Sequence, residues 1–461
     1  ITHLGGLPLS IILAGQTVAS ESQAGFSVAN ALQELLDRGG SMEGKGGAGR
    51  EVDSLRAMLS VSYDHLPDER VRQAFRSLAV FGARPRTFAI EAAAHVWKVD
   101  SRTAQKQMVT LVNQQMVEPL GEGVFALHNA FASFATTLLV EHAELEALQE
   151  AHIHYYLELA QTYATADWRQ VEKNIDQIRQ AFQLVRREGD YHVIVDYLMA
   201  MNSYFSRRGL WHELLQWTEI ALAAVQSEGN QRLEGILYSN MGAIYQQQSE
   251  LDRALSAYKQ SSHLLETADD QDGLAVVLNN MGAIYARLDL LEEAFDAYDQ
   301  GQKILEKSED HAGQAALATM LNNIGTLYQR QETWFEALEY YQLAYRFYEA
   351  LQDHVGLANT LNHIGTVYSG QQRFEDALIQ FERSQSLFNE AGDLVGESTS
   401  LYNMALIYED LNRLEAAERA MGRLVEIEEQ LNHPDLIEDR QTLQRLRHML
   451  GISVEEDQVD Q

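Results

Sequence analysis

Five heptapeptides recur along the second half of the chain at steps of 40, 43, 40 and 40 residues: SNMGAIY at 239–245, NNMGAIY at 279–285, NNIGTLY at 322–328, NHIGTVY at 362–368 and YNMALIY at 402–408. A period of that length means that one small supersecondary unit stacks on copies of itself, which constrains the fold more than any other feature. Each heptapeptide leads through a polar turn into a second pattern: LDRALSAY, LEEAFDAY, WFEALEYY, FEDALIQF or LEAAERAM. Ala254, Ala294, Ala337, Ala377 and Ala417 stand nine residues after the heptapeptide aromatic, with Tyr258, Tyr298, Tyr341, Phe381 and Met421 four further on. That spacing is helical, so each unit reads as two helices that meet at Gly and Ala and bury aromatics between them. A degenerate sixth unit runs through Phe205, Trp211 and Trp217. The chain has five prolines and none between Pro119 and Pro434, so nothing breaks a long helical array.

These units resemble the tetratricopeptide repeat (TPR), whose small-x-x-aromatic and small-x-x-x-aromatic pattern they carry over residues 191–430. The longer period and the Leu-Asn-Asn start are closer to the kinesin light chain and mitotic-spindle scaffold variants than to the 34-residue type. The resemblance implies an all-α fold, a right-handed superhelix of about six or seven units whose first helices line a concave groove. Residues 141–190 read as a helical connector or first repeat, and 431–461 as a polar-faced capping helix with the acidic tail SVEEDQVDQ.

Residues 51–140 differ in character. Val52, Leu55, Leu59, Tyr63 and Leu66 follow helical spacing, as do Val71, Phe75 and Leu78, then Ile90, Ala94 and Trp97. A fourth helix from Ser101 leads into MVEPL, a Gly-Glu-Gly turn at 121–123 and VFALH, which read as a β-hairpin. Helices followed by a hairpin make a winged helix. A Gly-rich linker at 39–50 separates it from the opening segment.

That opening, GLPLS at 6–10, resembles the GLPLA motif of the NB-ARC module in STAND signalling ATPases. In that family a helical segment, a winged helix and a repeat sensor follow one another, and 1–38 would be the remnant of the first. LRAMLSVSYDHLPDERVRQAFRSLAVF (55–81), VFALHNAFASFA (124–135) and NIDQIRQAF (174–182) resemble the winged helix and the start of the sensor. The resemblance places Pro8 near the adenine and His128 at the β-phosphate of bound ADP. Leu127-His128-Asn129 replaces the family's Met-His-Asp, so the acid that would orient the imidazole is a neutral amide. No G-x-x-x-x-G-K-[ST] occurs, nor an acidic residue after an apolar strand to hold magnesium. The expectation is therefore the C-terminal part of a longer ATPase: no catalysis and no cofactor in this chain, ADP or ATP with Mg in the whole protein. Intramolecular contact with the nucleotide-binding domain, and oligomerisation on activation, go with that reading.

Thirty-five Lys and Arg against 67 Asp and Glu give a net charge of −32, which opposes phosphate backbones and anionic lipid. Residues 51–144 carry 9 basic against 11 acidic residues, so the winged helix is read as a spacer and switch element rather than a DNA reader. No apolar run is long enough to span a membrane, and a cytoplasmic location is expected. Absent cysteines remove disulfides, thiolate zinc sites and cysteine nucleophiles together. The literal G-x-G-x-x-G at 44–49 follows a helical pattern, so it reads as linker. His152 and His154 point to different faces of one helix, and Trp211-His212-Glu213 lacks the second His of a metalloprotease, so no metal site is expected.

What remains is a ladder of amides. Asn240, Asn280, Asn323, His363 and Asn403 occupy one equivalent position, preceded by Asn279, Asn322 and Asn362, and the resemblance puts that position on the concave face. An amide both donates and accepts, which suits the backbone of an extended protein or peptide partner. The competing reading has these amides joining neighbouring helices. Arg287 and Arg330, seven residues after Asn280 and Asn323, lie two turns further along and could hold an acidic group. The function expected is a sensor and autoinhibitory region with a peptide-binding groove. The alternatives are a free-standing scaffold, or a peptide-sensing transcription regulator whose DNA-binding part lies elsewhere.

Overall fold

The computed structural model describes residue 56, residues 59–431 and residues 433–452. It divides into two units, Ile1–Glu228 and Gly229–Gln461. The GLPLS segment with Pro8, the Gly-rich linker and the tail at 453–461 lie outside the described residues.

In the first unit, helix α1 (59–64) precedes α2 (Glu69–Ser77), which starts where the Asp68 carboxylate accepts the Val71 N–H at 3.0 Å. A 3₁₀ turn (Leu78–Phe81), β1 (Phe88–Ala89), α3 (Ile90–Trp97) and α4 (Ser101–Asn113) follow. The hairpin β2 (Glu118–Gly121) and β3 (Val124–Ala126) lies where the sequence pattern puts it, irregular between Pro119 and Gly121. β1 completes an antiparallel sheet of order β1-β3-β2, with Phe88 opposite Phe125. Two residues are too few to show alternation, so β1 has no sequence signature. The core is aromatic: Phe81 stacks on Phe88 at 4.5 Å, and Phe75 meets Phe131 edge-on at 6.0 Å.

Helices α5 (Asn129–Glu141), α6 (Leu145–Tyr163), α7 (Trp168–Glu188), α8 (Tyr191–Arg207) and α9 (Trp211–Glu228) complete this unit. Two buried polar groups tie it together. Arg76, 2% exposed, donates to both Glu144 oxygens and to Glu69. His152 Nε2 donates to Gln177 Oε1 at 2.9 Å, and the Gln177 amide donates to Phe81 O and Thr87 O. In the degenerate unit, Phe182 stacks on Trp217 at 3.7 Å and Phe205 meets the same ring edge-on.

The second unit alternates first and second helices: α10 (Gln231–Gln247) with α11 (Leu251–Thr267), α12 (Gln271–Arg287) with α13 (Leu291–Leu305), α14 (His311–Arg330) with α15 (Trp334–Leu351), α16 (His354–Gly370) with α17 (Phe374–Ala391), and α18 (Leu394–Asp410) with α19 (Leu414–Leu431). Each first helix is capped alike, by Asn230, Asp270, Asp310, Asp353 or Asp393 accepting the backbone N–H three residues on. The 43-residue step is explained here. α14 has 20 residues where α12 and α16 have 17, and these three make the longer step, because the two residues that α13 (15) lacks against α11 (17) return in the connection 306–310.

Within the first four pairs a glycine of the first helix faces an aromatic of the second, and the fifth has Ala405 and Met421 at these positions. A Cβ on Gly242, Gly282, Gly325 or Gly365 would stand 2.5–2.7 Å from the ring of Tyr258, Tyr298, Tyr341 or Phe381. Nothing larger than glycine leaves room for the ring. Helix α20 (Leu436–Met449) closes the array, with Leu443 and Leu446 packed into the cluster of Ala420, Leu424 and Ile427.

Candidate binding face of the repeat array

The first helices α12, α14, α16 and α18 touch their counterparts in the next repeat, and each second helix touches the first helices on both sides of it. Helices in contact with their own kind lie on the inner side of the curve, so the face they leave open is the concave one.

The amide ladder is only partly on that face. Asn322 and Asn362 are 7% and 8% exposed. Asn322 Nδ2 donates to Thr360 Oγ1 at 2.9 Å, and the Ser400 hydroxyl donates to Asn362 Oδ1 at 3.1 Å, in each case joining one first helix to the next. For these two the expected groove exposure is corrected. Adjacent residues on a helix diverge by about 100°, so an Asn-Asn pair cannot aim both amides into one groove. Asn323 Nδ2 donates to Asn279 Oδ1 at 2.8 Å across the neighbouring repeat, so this pair also joins first helices. His363 lies flat on Tyr341, centroids 5.2 Å apart, and burial pushes its imidazole down to about 4. Asn280 sits against the Tyr258 hydroxyl, whose pKa burial pushes up to about 12 and this amide partly lowers. Asn240 and Asn403 are half-buried.

The two arginines also differ. Arg330 reaches back to Ala286 O and, at 3.2 Å, to Asp289 Oδ1 at the end of the previous first helix. Arg287 is exposed. His128 is exposed at the start of α5, its Nδ1 accepting the Ala130 N–H at 3.3 Å, so in this chain it serves as a helix cap.

The open face itself is built from residues in phase with the ladder. Four residues before it stand Ile236, Val276, Thr319, Asn359 and Thr399; three after it Ala243, Ala283, Thr326, Thr366 and Leu406; seven after it Gln247, Arg287, Arg330, Gly370 and Asp410. Asp410 is the one acid among these fifteen positions, and Val276 and Leu406 are 48% and 43% exposed. The contrast with the other side is large. Helices α10, α12, α14 and α16 hold two acids, Glu234 and Asp272, and three arginines, whereas α11, α13, α15 and α17 hold thirteen acids and five bases. This segregation was readable from the sequence of the first four repeats, each of which alternates a nearly neutral helix with an acidic one, whereas α18 carries Glu397, Glu409 and Asp410. Among the described residues no cluster of His, Asp and Glu could hold a metal, and no helix is long and apolar enough to cross a membrane.

Residues 316–390 and 398–431 match the tetratricopeptide repeat family. These segments are tetratricopeptide repeats, and the helix pairs before them repeat the same cap and the same glycine–aromatic contact. No curated protein sequence matches the chain. Among solved structures it is similar to the Signal Transduction ATPase with Numerous Domains (STAND) protein with a tetratricopeptide repeat sensor from Pyrococcus horikoshii, at 15% identity over 95% of this chain and 70% of that one, TM-score 0.44. It is also similar to aspartyl phosphate phosphatase F from Bacillus subtilis (16% identity, 66% and 84% covered, TM-score 0.43) and to the quorum sensor NprR from B. thuringiensis in its apo form (14% identity, 74% and 96% covered, TM-score 0.42).

Proposed function

We propose that the repeat array is a recognition surface that binds an extended segment of a protein or peptide along its first helices. The near absence of acid from that face, in a chain of net charge −32, carries the reading. An acidic solvated surface keeps the molecule soluble and repels nonspecific anions, while a neutral face of hydroxyls, small side chains and a few apolar residues leaves a partner's backbone free to approach. Arg287 gives the face a place for a partner carboxylate. Peptide selection against the whole chain, followed by Val276→Asp and Thr366→Asp, tests this. Both substitutions should abolish capture with melting unchanged, while Glu339→Lys on a second helix should not. Selected peptides indifferent to both face substitutions would overturn the assignment.

The wider reading is that the array is the sensor of a STAND-type switch whose nucleotide-binding core belongs to another segment of a longer protein, with 59–140 as its winged-helix spacer. The helix-then-hairpin order of that region supports it, together with His128 exposed at the end of the hairpin. Under this reading the chain alone turns over no ATP. Hydrolysis above background in a clean preparation, lost on substitution of a residue of this chain, would sink it.

A further inference from the structure

The C-terminal end of the array buries two carboxyl groups against each other. Glu428 of α19 is 3% exposed and Asp439 of α20 is 6% exposed, and the two side chains hydrogen-bond one another. Two carboxylates cannot do so without a proton between them. The surroundings offer one competing group, the imidazole of His433. Glu428 Oε2 has no protein partner. His433 Nδ1 stands 3.4 Å from Glu428 Oε1 and 3.3 Å from the Asp435 N, and its charge acts against the rise of both carboxyls. Asp435 and Glu438 add negative charge from the connecting segment and from α20. The nearby cations are committed to other acids: Arg440 to Glu429 at 2.5 Å, Arg445 to Glu409 at 2.7 Å, Arg447 to Glu418 at 2.8 Å, and Arg423 to Glu397 and Glu426.

We propose that a single proton held between Glu428 and Asp439 latches α20 onto the last repeat, and that its loss unseats the cap and uncovers the apolar end of the array. Burial first, then the charge of Asp439, pushes the Glu428 carboxyl up to about 7, and burial raises Asp439 as well. A group whose folded pKa lies above its unfolded one stabilises fully below the unfolded value and loses that contribution as pH rises through the folded one. The latch is therefore closed in mild acid and opens through neutrality. What it uncovers is specific, because Ala420, Leu424 and Ile427 form the last internal face of a solenoid, the kind of face that stacks on a further helix.

Hydrogen exchange of the α20 amides in the whole chain, corrected for intrinsic rates, tests this between pH 5.5 and 8.5. One released proton allows protection to fall by up to tenfold per pH unit above about 7. Glu428→Gln keeps the hydrogen bond without the titration, so its α20 should stay protected throughout, and Asp439→Asn should do the same should the first variant not fold. His433→Gln should keep the wild-type slope. A flat wild-type profile, amide variants that still lose protection with pH, or a slope abolished by His433→Gln would each overturn the latch.

Discussion

Residues 59–228 hold together through the buried guanidinium of Arg76 and the buried imidazole of His152, whereas the hydroxyls and amides buried between the first helices of the repeats find partners that recur with the period of the chain. Arg76 finds Glu144 68 positions away, and Gln177 joins His152, 25 positions before it, to Phe81, 96 positions before it. In the repeats the polar contacts between first helices span 38 to 44 residues, from Asn322 to Thr360, Asn362 to Ser400 and Asn279 to Asn323. The difference teaches how each region can fail. A unique long-range polar group has no stand-in, so its removal is felt across everything it joins. A repeated contact has copies on either side, and its loss stays local because repeats touch only their neighbours.

The largest expected effect follows from Arg76. Arg76→Met leaves Glu144 partly buried without its cation and should cost about 3–5 kcal/mol in denaturant unfolding, with protection lost over the whole of 59–163. Equal loss of protection in α16 would break the contrast between the regions. Acid should act next. Burial holds His152 down at about 4, so its contribution is complete above its unfolded value of 6.5 and is lost as pH falls toward 4, by roughly 3 kcal/mol at most. His152→Phe should flatten this slope in α6 and α7 while leaving any acid response around His363 in place.

In the repeats, Gly325→Val drives a side chain into the Tyr341 ring and should cost about 1–3 kcal/mol, with exchange raised in α14 to α17 and unchanged in α10. Uniform loss along the array would mean that the repeats melt as one body. Asn322→Ala removes one interhelical bond, but Thr360 keeps its bond to Gly356 O, so the penalty should be near 1 kcal/mol. Smallest of all, Val276→Asp touches an exposed position and should shift stability by less than about 0.5 kcal/mol. Its effect belongs to partner binding, and a large drop in melting temperature would place Val276 inside the packing.

Much of the second unit was legible because its information is local and repeated. Small and aromatic residues at fixed offsets define two helices and the face on which they meet, and five copies average out the noise of any one. The Asp-x-x-Gly cap is equally present in the sequence, at Asp270, Asp310, Asp353 and Asp393. The amide ladder was legible as a pattern but not as a role. Asn322 and Asn323 are identical neighbours, yet one faces forward to Thr360 and the other back to Asn279.

By itself, then, the sequence determined the period, the helix pairs, the glycine–aromatic contacts and the separation of neutral from acidic helices, because each depends on residues within one or two turns of each other. Only the tertiary structure decided which amides are consumed between helices, that Arg76 and His152 are the polar supports of the first unit, that residues 88–89 form a strand, and that Glu428 meets Asp439. A polar group's role is set by what arrives opposite it, and that group comes from another helix, at a distance no local pattern encodes.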